Sequence, residues 1–326
     1  MNILFQILLL VVGFVCLVKG ADIFVDGSSA LARNFHVPGL IIGLTIVALG
    51  TSAPEMAVST VAAFQGSNEI ALSNVVGSNI FNLLGVLGIC AIIYPLPVDG
   101  IVLKRDFPVA IITTILLLLV SCGSVLFNGH FAEYGMDREV AVVSRPVAFI
   151  LVVMFIGYIV FLVLKERKNP TDDEQTGKKP MWRCLLYIVI GLVMIIVGGQ
   201  VVVNCAKEIA RAAGMSETLI GLTIVAIGTS LPELVTSVVA ARKGETGMAI
   251  GNVIGSNIFN LLFILGISAL IHPVSINMAS VYDLMILVVV SGISYVFAFT
   301  SRRIARGEGI LMLMIYAADV VFAILR

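Results

Sequence analysis

Residues 42–55 read I-G-L-T-I-V-A-L-G-T-S-A-P-E, and residues 220–233 repeat them as I-G-L-T-I-V-A-I-G-T-S-L-P-E. Each copy is apolar along most of its length and ends in a glutamate directly after a proline, Glu55 in the first and Glu233 in the second. An ionised side chain inside a membrane span costs about 2.5–3.5 kcal/mol on insertion scales, and such residues mark functional sites. The matched pair therefore predicts a site that handles a cation.

The composition of the chain is that of a membrane protein. Of its 326 residues, 59% are hydrophobic and 12% are charged, whereas soluble domains have about 25% charged residues. The chain has near-continuous apolar runs such as 3–18, 109–120 and 147–164, and spans of about 20 apolar residues are what a bilayer core requires. We predict an all-α integral membrane protein that sits in the lipid bilayer and, with a net charge of +0, has no nucleic-acid partner.

The reactive residue types form no catalytic or metal-binding pattern. The 5 cysteines and 3 histidines are scattered, and their spacing fits neither a zinc site nor a disulfide framework. The sequence shows no nucleophile–base pair, no H-E-x-x-H and no Walker sequence. We therefore expect no enzymatic activity and no cofactor.

Hydropathy predicts ten membrane spans, with one long polar linker between the fifth and the sixth. The N-terminal run lacks the basic residues and the cleavage site of a secretory signal peptide, so we expect it to be the first span. The predicted spans are 2–20 (or as far as 33), 39–64, 70–93, 107–127, 146–165, 182–204, 217–241, 247–270, 281–300 and 308–325.

The two halves of the chain are copies of each other. Glu55 and Glu233 lie 178 residues apart (233 − 55 = 178), and the same offset relates N-V-V-G-S-N-I-F-N at 74–82 to N-V-I-G-S-N-I-F-N at 252–260. Each half holds five spans, and because five is odd, the second half enters the membrane from the opposite side. We therefore predict two inverted five-helix repeats, 1–165 and 182–326, joined by a linker at 166–181; this architecture is typical of secondary transporters.

Basic residues predict the orientation, since cytoplasmic loops carry an excess of lysine and arginine. One side carries six basic residues of the linker region together with Arg33, Lys104, Arg105, Arg242, Lys243, Arg302, Arg303 and Arg306. The other side carries Arg138, Arg145, Lys207, Arg211 and Arg326. We expect the linker in the cytoplasm and both termini outside, in the cell (inner) membrane.

The first motif offers oxygen atoms to a cation. Pro54 has no backbone N–H, so it frees a carbonyl one turn earlier and weakens the helix at Thr51 and Ser52. Freed carbonyls inside a membrane are tolerated only where they face protein or a hydrated cavity. A proline alone would predict a simple kink, but a carboxylate beside it in both repeats favours a site for a hard cation, which prefers oxygen ligands.

The second motif, G-S-N-I-F-N, adds further oxygens. Ser78 and Asn82 are four residues apart and share one helix face, as do Ser256 and Asn260. Asn79 and Asn257 point about 100° away from the preceding serines, which favours helix–helix hydrogen bonding for them. Polar contacts between helices would explain each of these residues singly, but their recurrence in both halves favours the ion site.

The pair of motifs resembles the α-repeats of the sodium/calcium exchanger family in the cation/calcium antiporter superfamily, as a prokaryotic-type member without a regulatory domain. The resemblance covers both repeats. It implies four ion-binding helices, the second, third, seventh and eighth spans, and a first and sixth span that slide past them. It also implies alternating access, with calcium and sodium as the transported ions.

The resemblance assigns roles by motif position. It implies that Glu55 and Glu233 bind calcium and share sodium, and that the carbonyls of Thr51 and Thr229 complete the calcium site. The sodium sites would be lined by Ser52, Ser78, Ser230, Ser256 and the carbonyls of Ala48 and Ala226. Asn82 and Asn260 would lie at the centre. Many members carry an aspartate at the position of Asn260, so potassium co-transport is in doubt here.

We expect sodium-for-calcium exchange, electrogenic if three sodium ions exchange for one calcium ion. A proton/calcium antiporter is the alternative, and vesicle assays with sodium and proton gradients distinguish the two. A cation channel is a weaker alternative, because inverted repeats around a neutralisable site favour alternating access. A monomer can suffice for transport.

Overall fold

The computed structural model describes residues 3–66, 68–127, 135–166, 180–215, 220, 224 and 226–325. Most of these residues are helical, as the apolar composition predicts. The helices are α1 (Ile3–Phe35), α2 (Gly39–Thr51), α3 (Ala53–Phe64), α4 (Glu69–Ile93), α5 (Val102–Phe127), α6 (Arg145–Glu166), α7 (Met181–Ala212), α8 (Ala226–Thr229), α9 (Leu231–Arg242), α10 (Thr246–Ile271), α11 (Met278–Ser301) and α12 (Arg306–Leu325).

Each predicted span that is described corresponds to a helix, although α1 and α7 extend beyond the predicted ends. Within the described residues, eight helices are long and apolar enough to cross a membrane, and the bent pair α2–α3 makes a ninth span. The predicted seventh span, 217–241, begins outside the described residues and continues as α8 and α9. A count of ten spans therefore stays a prediction. The first span is longer than 2–20, since α1 runs unbroken for 33 residues.

Four short strands lie in the connections between helices, where the sequence predicted none. They are β1 (Leu96–Pro97), β2 (Glu139–Val143), β3 (Val274–Asn277) and β4 (Arg303–Ile304). β1 pairs with β4 and β2 pairs with β3, both antiparallel. Each small sheet thus joins a loop of one repeat to a loop of the other. Strands of two to five residues are too short for an alternating pattern, which explains the omission.

α1 and α7, the equivalent first helices of the two repeats, pack closely along their lengths. A Cβ on Gly20 would lie 2.9 Å from the Gly191 carbonyl, and a Cβ on Gly198 would lie 2.7 Å from the Leu17 amide nitrogen. Small residues let membrane helices approach this closely. Gly13 contacts Val201 whereas Gly27 contacts Ile188, so the two helices are antiparallel. The equivalent helices therefore cross the membrane in opposite directions, as inverted repeats require.

α4 and α10 are the most buried of the long helices, and they form the centre of the bundle. A Cβ on Gly255 of α10 would lie 2.8 Å from the Leu44 Cα of α2, so the absence of a side chain at this glycine lets the two helices approach closely. Most of the exposed apolar side chains lie on the outer helices, as expected for a surface that faces lipid.

Candidate metal centre

Both repeats break a helix at the same serine. Ser52 separates α2 from α3 with φ −81° and ψ 11°, and Ser230 separates α8 from α9 with φ −92° and ψ 10°. Pro54 lies in the first turn of α3, where a missing N–H leaves no hydrogen bond unmade, and the axis turns by 48° at this break. The break puts Glu55 and Glu233 in the first turn of the following helix, where the helix dipole favours an anion.

The two glutamates are fully buried, and each is held by serines of both repeats. The Ser230 hydroxyl donates to Glu55 Oε1 at 2.8 Å, and the Ser52 hydroxyl donates to Glu233 Oε1 at 2.7 Å. Within each repeat, Ser78 donates to Glu55 and Ser256 to Glu233, both at 3.5 Å. The two carboxylates therefore belong to one centre between the repeats, as the motifs predict.

Two asparagines, Asn74 and Asn252, donate hydrogen bonds to the backbone carbonyls of the glutamates. Asn74 Nδ2 donates to the Glu55 carbonyl at 3.2 Å, and Asn252 Nδ2 donates to the Glu233 carbonyl at 3.4 Å. Both also reach a serine hydroxyl at 2.9 Å, Ser59 and Ser237 respectively. The sequence interpretation gave these asparagines no role. The signal was present, because each begins the repeated nine-residue segment.

Four asparagines join α4 to α10 at the middle of the bundle. Asn79 Nδ2 donates to the Asn257 carbonyl at 3.1 Å, and Asn257 Nδ2 donates to the Asn79 carbonyl at 3.3 Å. Asn260 Nδ2 donates to Asn79 Oδ1 at 3.0 Å, and Asn82 Nδ2 donates to Asn257 Oδ1 at 3.2 Å. The predicted helix–helix bonding of Asn79 and Asn257 is thus confirmed.

Several buried oxygens of this centre have no hydrogen-bond partner within the described part of the chain. They are Glu55 Oε2, Glu233 Oε2, Asn82 Oδ1, Asn260 Oδ1 and Thr229 Oγ1. Buried polar atoms are normally paired, and an oxygen-only set of two carboxylates and neutral groups suits a hard cation such as sodium or calcium. No cluster of three or more His, Cys, Asp or Glu side chains occurs among the described residues, so the neutral oxygens must supplement the two carboxylates.

The remaining predicted ligands lie beside this centre. The Ala48 carbonyl accepts the Ser52 N–H at 3.0 Å and the Thr51 hydroxyl at 3.4 Å. Thr51 Oγ1 also donates to Asn252 Oδ1 at 3.0 Å, whereas the hydroxyl of its repeat equivalent Thr229 has no partner in the described part of the chain. Ala226 is the first residue of α8. The structure thus brings the predicted residues together, and their roles as ligands stay predictions.

A cavity approaches the centre from one face of the bundle. Its volume is about 290 Å³, and it lies between α3, α7 and the α8–α9 break, with Pro54, Thr229, Pro232 and Lys207 in its wall. We call this side the Lys207 face. On the opposite side, the Lys243 face, α1 packs against α9, and Lys243 Nζ lies 2.7 Å from both Asp22 Oδ1 and Asp26 Oδ1. The conformation is therefore open towards the Lys207 face.

Known proteins resemble this chain over nearly its whole length. The family model described as sodium/calcium exchanger protein matches residues 5–164 and 184–325. The chain is 38% identical over 317 residues to the putative antiporter CaxA of Alkalimonas amylolytica, with 94% of each chain covered. It is 36% identical over 318 residues to the inner membrane protein YrbG of Escherichia coli, with 93% and 92% covered. The solved sodium-calcium exchanger NCX_Mj superposes with a TM-score of 0.81 and 33% identity, covering 98% of this chain and 99% of that one.

Proposed function

This chain belongs to the sodium/calcium exchanger family, and on that premise we propose that it is a secondary antiporter that exchanges sodium for calcium by alternating access. The observation that carries the proposal is the buried centre, in which Glu55 and Glu233 each bind a serine of the opposite repeat and keep one oxygen that no described residue bonds. A proton/calcium antiporter is not favoured by the relatives.

The charge of the centre supports exchange rather than leak. Two carboxylates neutralise one calcium ion or two sodium ions, so either load leaves the buried centre nearly neutral. An empty centre keeps two anions in a region of low dielectric, which opposes its conversion between the two faces. A third sodium ion would leave one positive charge, and its movement would then respond to the membrane potential by about 2.3 kcal/mol per 100 mV.

The ligand assignment follows motif position in the family, and the carboxylate and amide oxygens that lack a partner among the described residues support it. In this proposal, the Glu55 and Glu233 carboxylates bind calcium with the carbonyls of Thr51 and Thr229. The sodium ligands are the hydroxyls of Ser52, Ser78, Ser230 and Ser256 and the carbonyls of Ala48 and Ala226. Asn82 and Asn260 present amide oxygens at the centre, and their neutrality limits it to two formal negative charges. One chain supplies both halves of the centre, so a monomer suffices for transport.

For the orientation, we infer that the Lys243 face is cytoplasmic and the Lys207 face is external. The excess of basic residues on the linker side supports this, since such loops stay in the cytoplasm. The cell (inner) membrane is the expected location, as the name of the Escherichia coli relative states for that protein. A reporter fused after Arg326 that is active only in the cytoplasm would contradict the orientation.

Calcium uptake into proteoliposomes tests the function. Vesicles loaded with sodium should take up radioactive calcium when diluted into sodium-free medium, whereas equal potassium or proton gradients should drive little uptake. Uptake should saturate with calcium concentration, unlike the flux through a channel. If calcium-loaded vesicles lost calcium equally fast with and without external sodium, sodium-coupled exchange would be excluded.

A further inference from the structure

The backbone carbonyls of two asparagines fix the direction of two side-chain amides. A carbonyl oxygen only accepts hydrogen bonds. The Asn257 carbonyl therefore requires the NH₂ group of Asn79, at 3.1 Å, and the Asn79 carbonyl requires the NH₂ group of Asn257, at 3.3 Å. Either amide, if turned over, would set oxygen against oxygen in a buried place. The directions of both side chains follow from the backbone.

The orientations of the Asn79 and Asn257 amides determine those of the Asn260 and Asn82 amides. With its nitrogen on the Asn257 carbonyl, Asn79 presents Oδ1 to Asn260, and Oδ1 also only accepts. Asn260 must therefore turn its NH₂ group to Asn79, which it does at 3.0 Å, and Asn82 turns its NH₂ group to Asn257 Oδ1 at 3.2 Å. The four side-chain amides thus have one consistent orientation, which the backbone carbonyls of Asn79 and Asn257 determine.

The oxygens left over are those of Asn82 and Asn260, and both are buried without a partner in the described chain. Asn82 lies one helical turn from Ser78 on the same face, and Ser78 bonds Glu55; Asn260 relates to Ser256 and Glu233 in the same way. The free oxygens therefore belong to the face of α4 and α10 that carries the centre.

We propose that Asn79 and Asn257 are positioning residues, which hold Asn260 and Asn82 so that each offers its amide oxygen, and not its NH₂ group, to the transported cation. The proposal rests on the proposed function, because it needs a cation at the centre. It differs from a packing role: two bonds to backbone carbonyls suffice to join the helices, but only the further bonds to Asn82 and Asn260 set the polarity seen by an ion.

The test compares Asn79→Ala in two backgrounds. In the otherwise unchanged chain, the variant frees the Asn260 amide to turn its NH₂ group to the cation, so the KM for calcium should rise about tenfold, a typical loss when a group that orients a metal ligand is removed. The maximal rate should change much less. In the Asn260→Asp background, the carboxylate offers an oxygen in either direction, so Asn79→Ala should leave the calcium KM within about twofold, because the orienting effect is gone.

The repeat supplies a second, independent version of the test. Asn257→Ala alone and in the Asn82→Asp background should give the same pattern, which protects the experiment if one variant fails to fold. Tyr158→Phe is the matched control, since it removes one buried hydrogen bond between α6 and α5, to Asp106 Oδ1 at 2.9 Å, outside the centre. Its calcium KM should not change.

The outcomes separate the positioning role from the proposed function. If Asn79→Ala raised the calcium KM equally in both backgrounds, the asparagine would act through packing and the positioning role would be overturned. If the unchanged chain showed no sodium-driven calcium uptake, the proposed function would fail instead. In that case calcium-induced thermal stabilisation of the purified protein, measured on the same variants, still decides the positioning role.

Discussion

The Lys243 face and the Lys207 face are built from repeated sequence, yet among the described residues only the Lys243 face has ion pairs that join two helices of the pathway. On the Lys243 face, one lysine binds Asp22 and Asp26 of α1. At the equivalent positions of the other repeat stand the neutral residues Gln65, Gln200 and Asn204. There Gln200 bonds Asn204 on its own helix at 3.5 Å, and the cavity opens between α7 and α3.

The centre between the two faces shows no such difference. Its reciprocal serine–glutamate bonds are 2.7 and 2.8 Å long, and its four asparagines are equivalent in pairs. The exceptions are Thr51, which bonds Asn252, and Ser52, which also lies 2.9 Å from Ser256 Oγ. Thr229, the repeat equivalent of Thr51, has no hydroxyl partner among the described residues. From this difference we infer that both repeats contribute to the ion chemistry, while the ion pairs of Lys243 with Asp22 and Asp26 favour the conformation that is open on the other face.

Lys243 stays protonated. Partial burial lowers the pKa of Lys243, but its hydrogen bonds to Asp22 and Asp26 outweigh burial and raise the pKa above the ordinary value. The ion pairs therefore persist at neutral pH. Because their groups are partly exposed, they are worth only about 1 kcal/mol, which is about a fivefold bias between the two open states.

The largest effect should come from the glutamates. Glu55→Gln and Glu233→Gln should each reduce sodium-driven calcium uptake more than about 100-fold, since breaking a buried charge pair costs about 3–5 kcal/mol. Uptake into proteoliposomes measures this, with Glu139→Gln on the exposed strand β2 as the charge-matched control. Substantial transport by either variant would show that the two repeats do not contribute equally to the centre.

The reciprocal serines should come next. Ser52→Ala and Ser230→Ala each remove a hydrogen bond to a carboxylate, worth about 1.5–3 kcal/mol, so the calcium KM should rise about tenfold or more in both. Initial uptake rates at varied calcium concentration measure the change. A several-fold difference between the two variants would show that the centre is functionally asymmetric in spite of its geometry.

Moving the charges should reverse the preference between the faces. The triple variant Gln65→Lys, Gln200→Asp and Asn204→Asp places equivalents of the Lys243 ion pairs on the Lys207 face. It should raise the ratio of closed to open cavity about fivefold. A cysteine introduced at Val58, in the cavity wall, should react correspondingly more slowly with an impermeant maleimide, in a background without the 5 native cysteines. The triple variant combined with Lys243→Gln should favour the conformation that is open towards the Lys243 face.

Lys243→Gln alone should have the smallest effect. It should slow labelling of the Val58→Cys thiol from the Lys207 face about two- to fivefold, because the Lys243 face then opens more easily. Salt at about 1 M should produce part of the same change in the unaltered protein, since the screening length then falls to about 3 Å, close to the length of these partly exposed ion pairs. An unchanged labelling rate in both conditions would mean that packing of α1 on α9, rather than charge, closes this face.

Most of the fold could be predicted because its signals are long. Apolar runs define the spans, and a constant offset defines the repeat, so five spans per half require inversion. The short strands could not be predicted, since Leu96 and Ile304 pair across most of the chain and neither strand carries a pattern of its own. The extension of α1 to Phe35 was left open because Asp22 and Asp26 interrupt its apolar run.

The candidate site could be predicted as far as it is written in the duplicated motifs. Glu55 and the four serines lie where the motifs place them, but Asn74 and Asn252 look like ordinary polar helix residues until their bonds to the glutamate carbonyls are seen. Lys243 is predicted only as a basic residue of one face. Its partners Asp22 and Asp26 lie more than 200 residues away in the sequence. Only a comparison of these charged positions with their neutral equivalents in the other repeat would have pointed to them.

The reciprocal serine bonds also set an order of events during biosynthesis. Glu55 receives its 2.8 Å bond from a residue 175 positions further along the chain, which a ribosome adding about 5–20 residues per second reaches roughly 10–35 s later. Until then, the newly inserted first repeat holds a carboxylate that lacks the shorter of its two serine bonds. The nascent half should therefore depend on the insertion machinery, or on water drawn into the bilayer, to shelter Glu55 until the second half arrives.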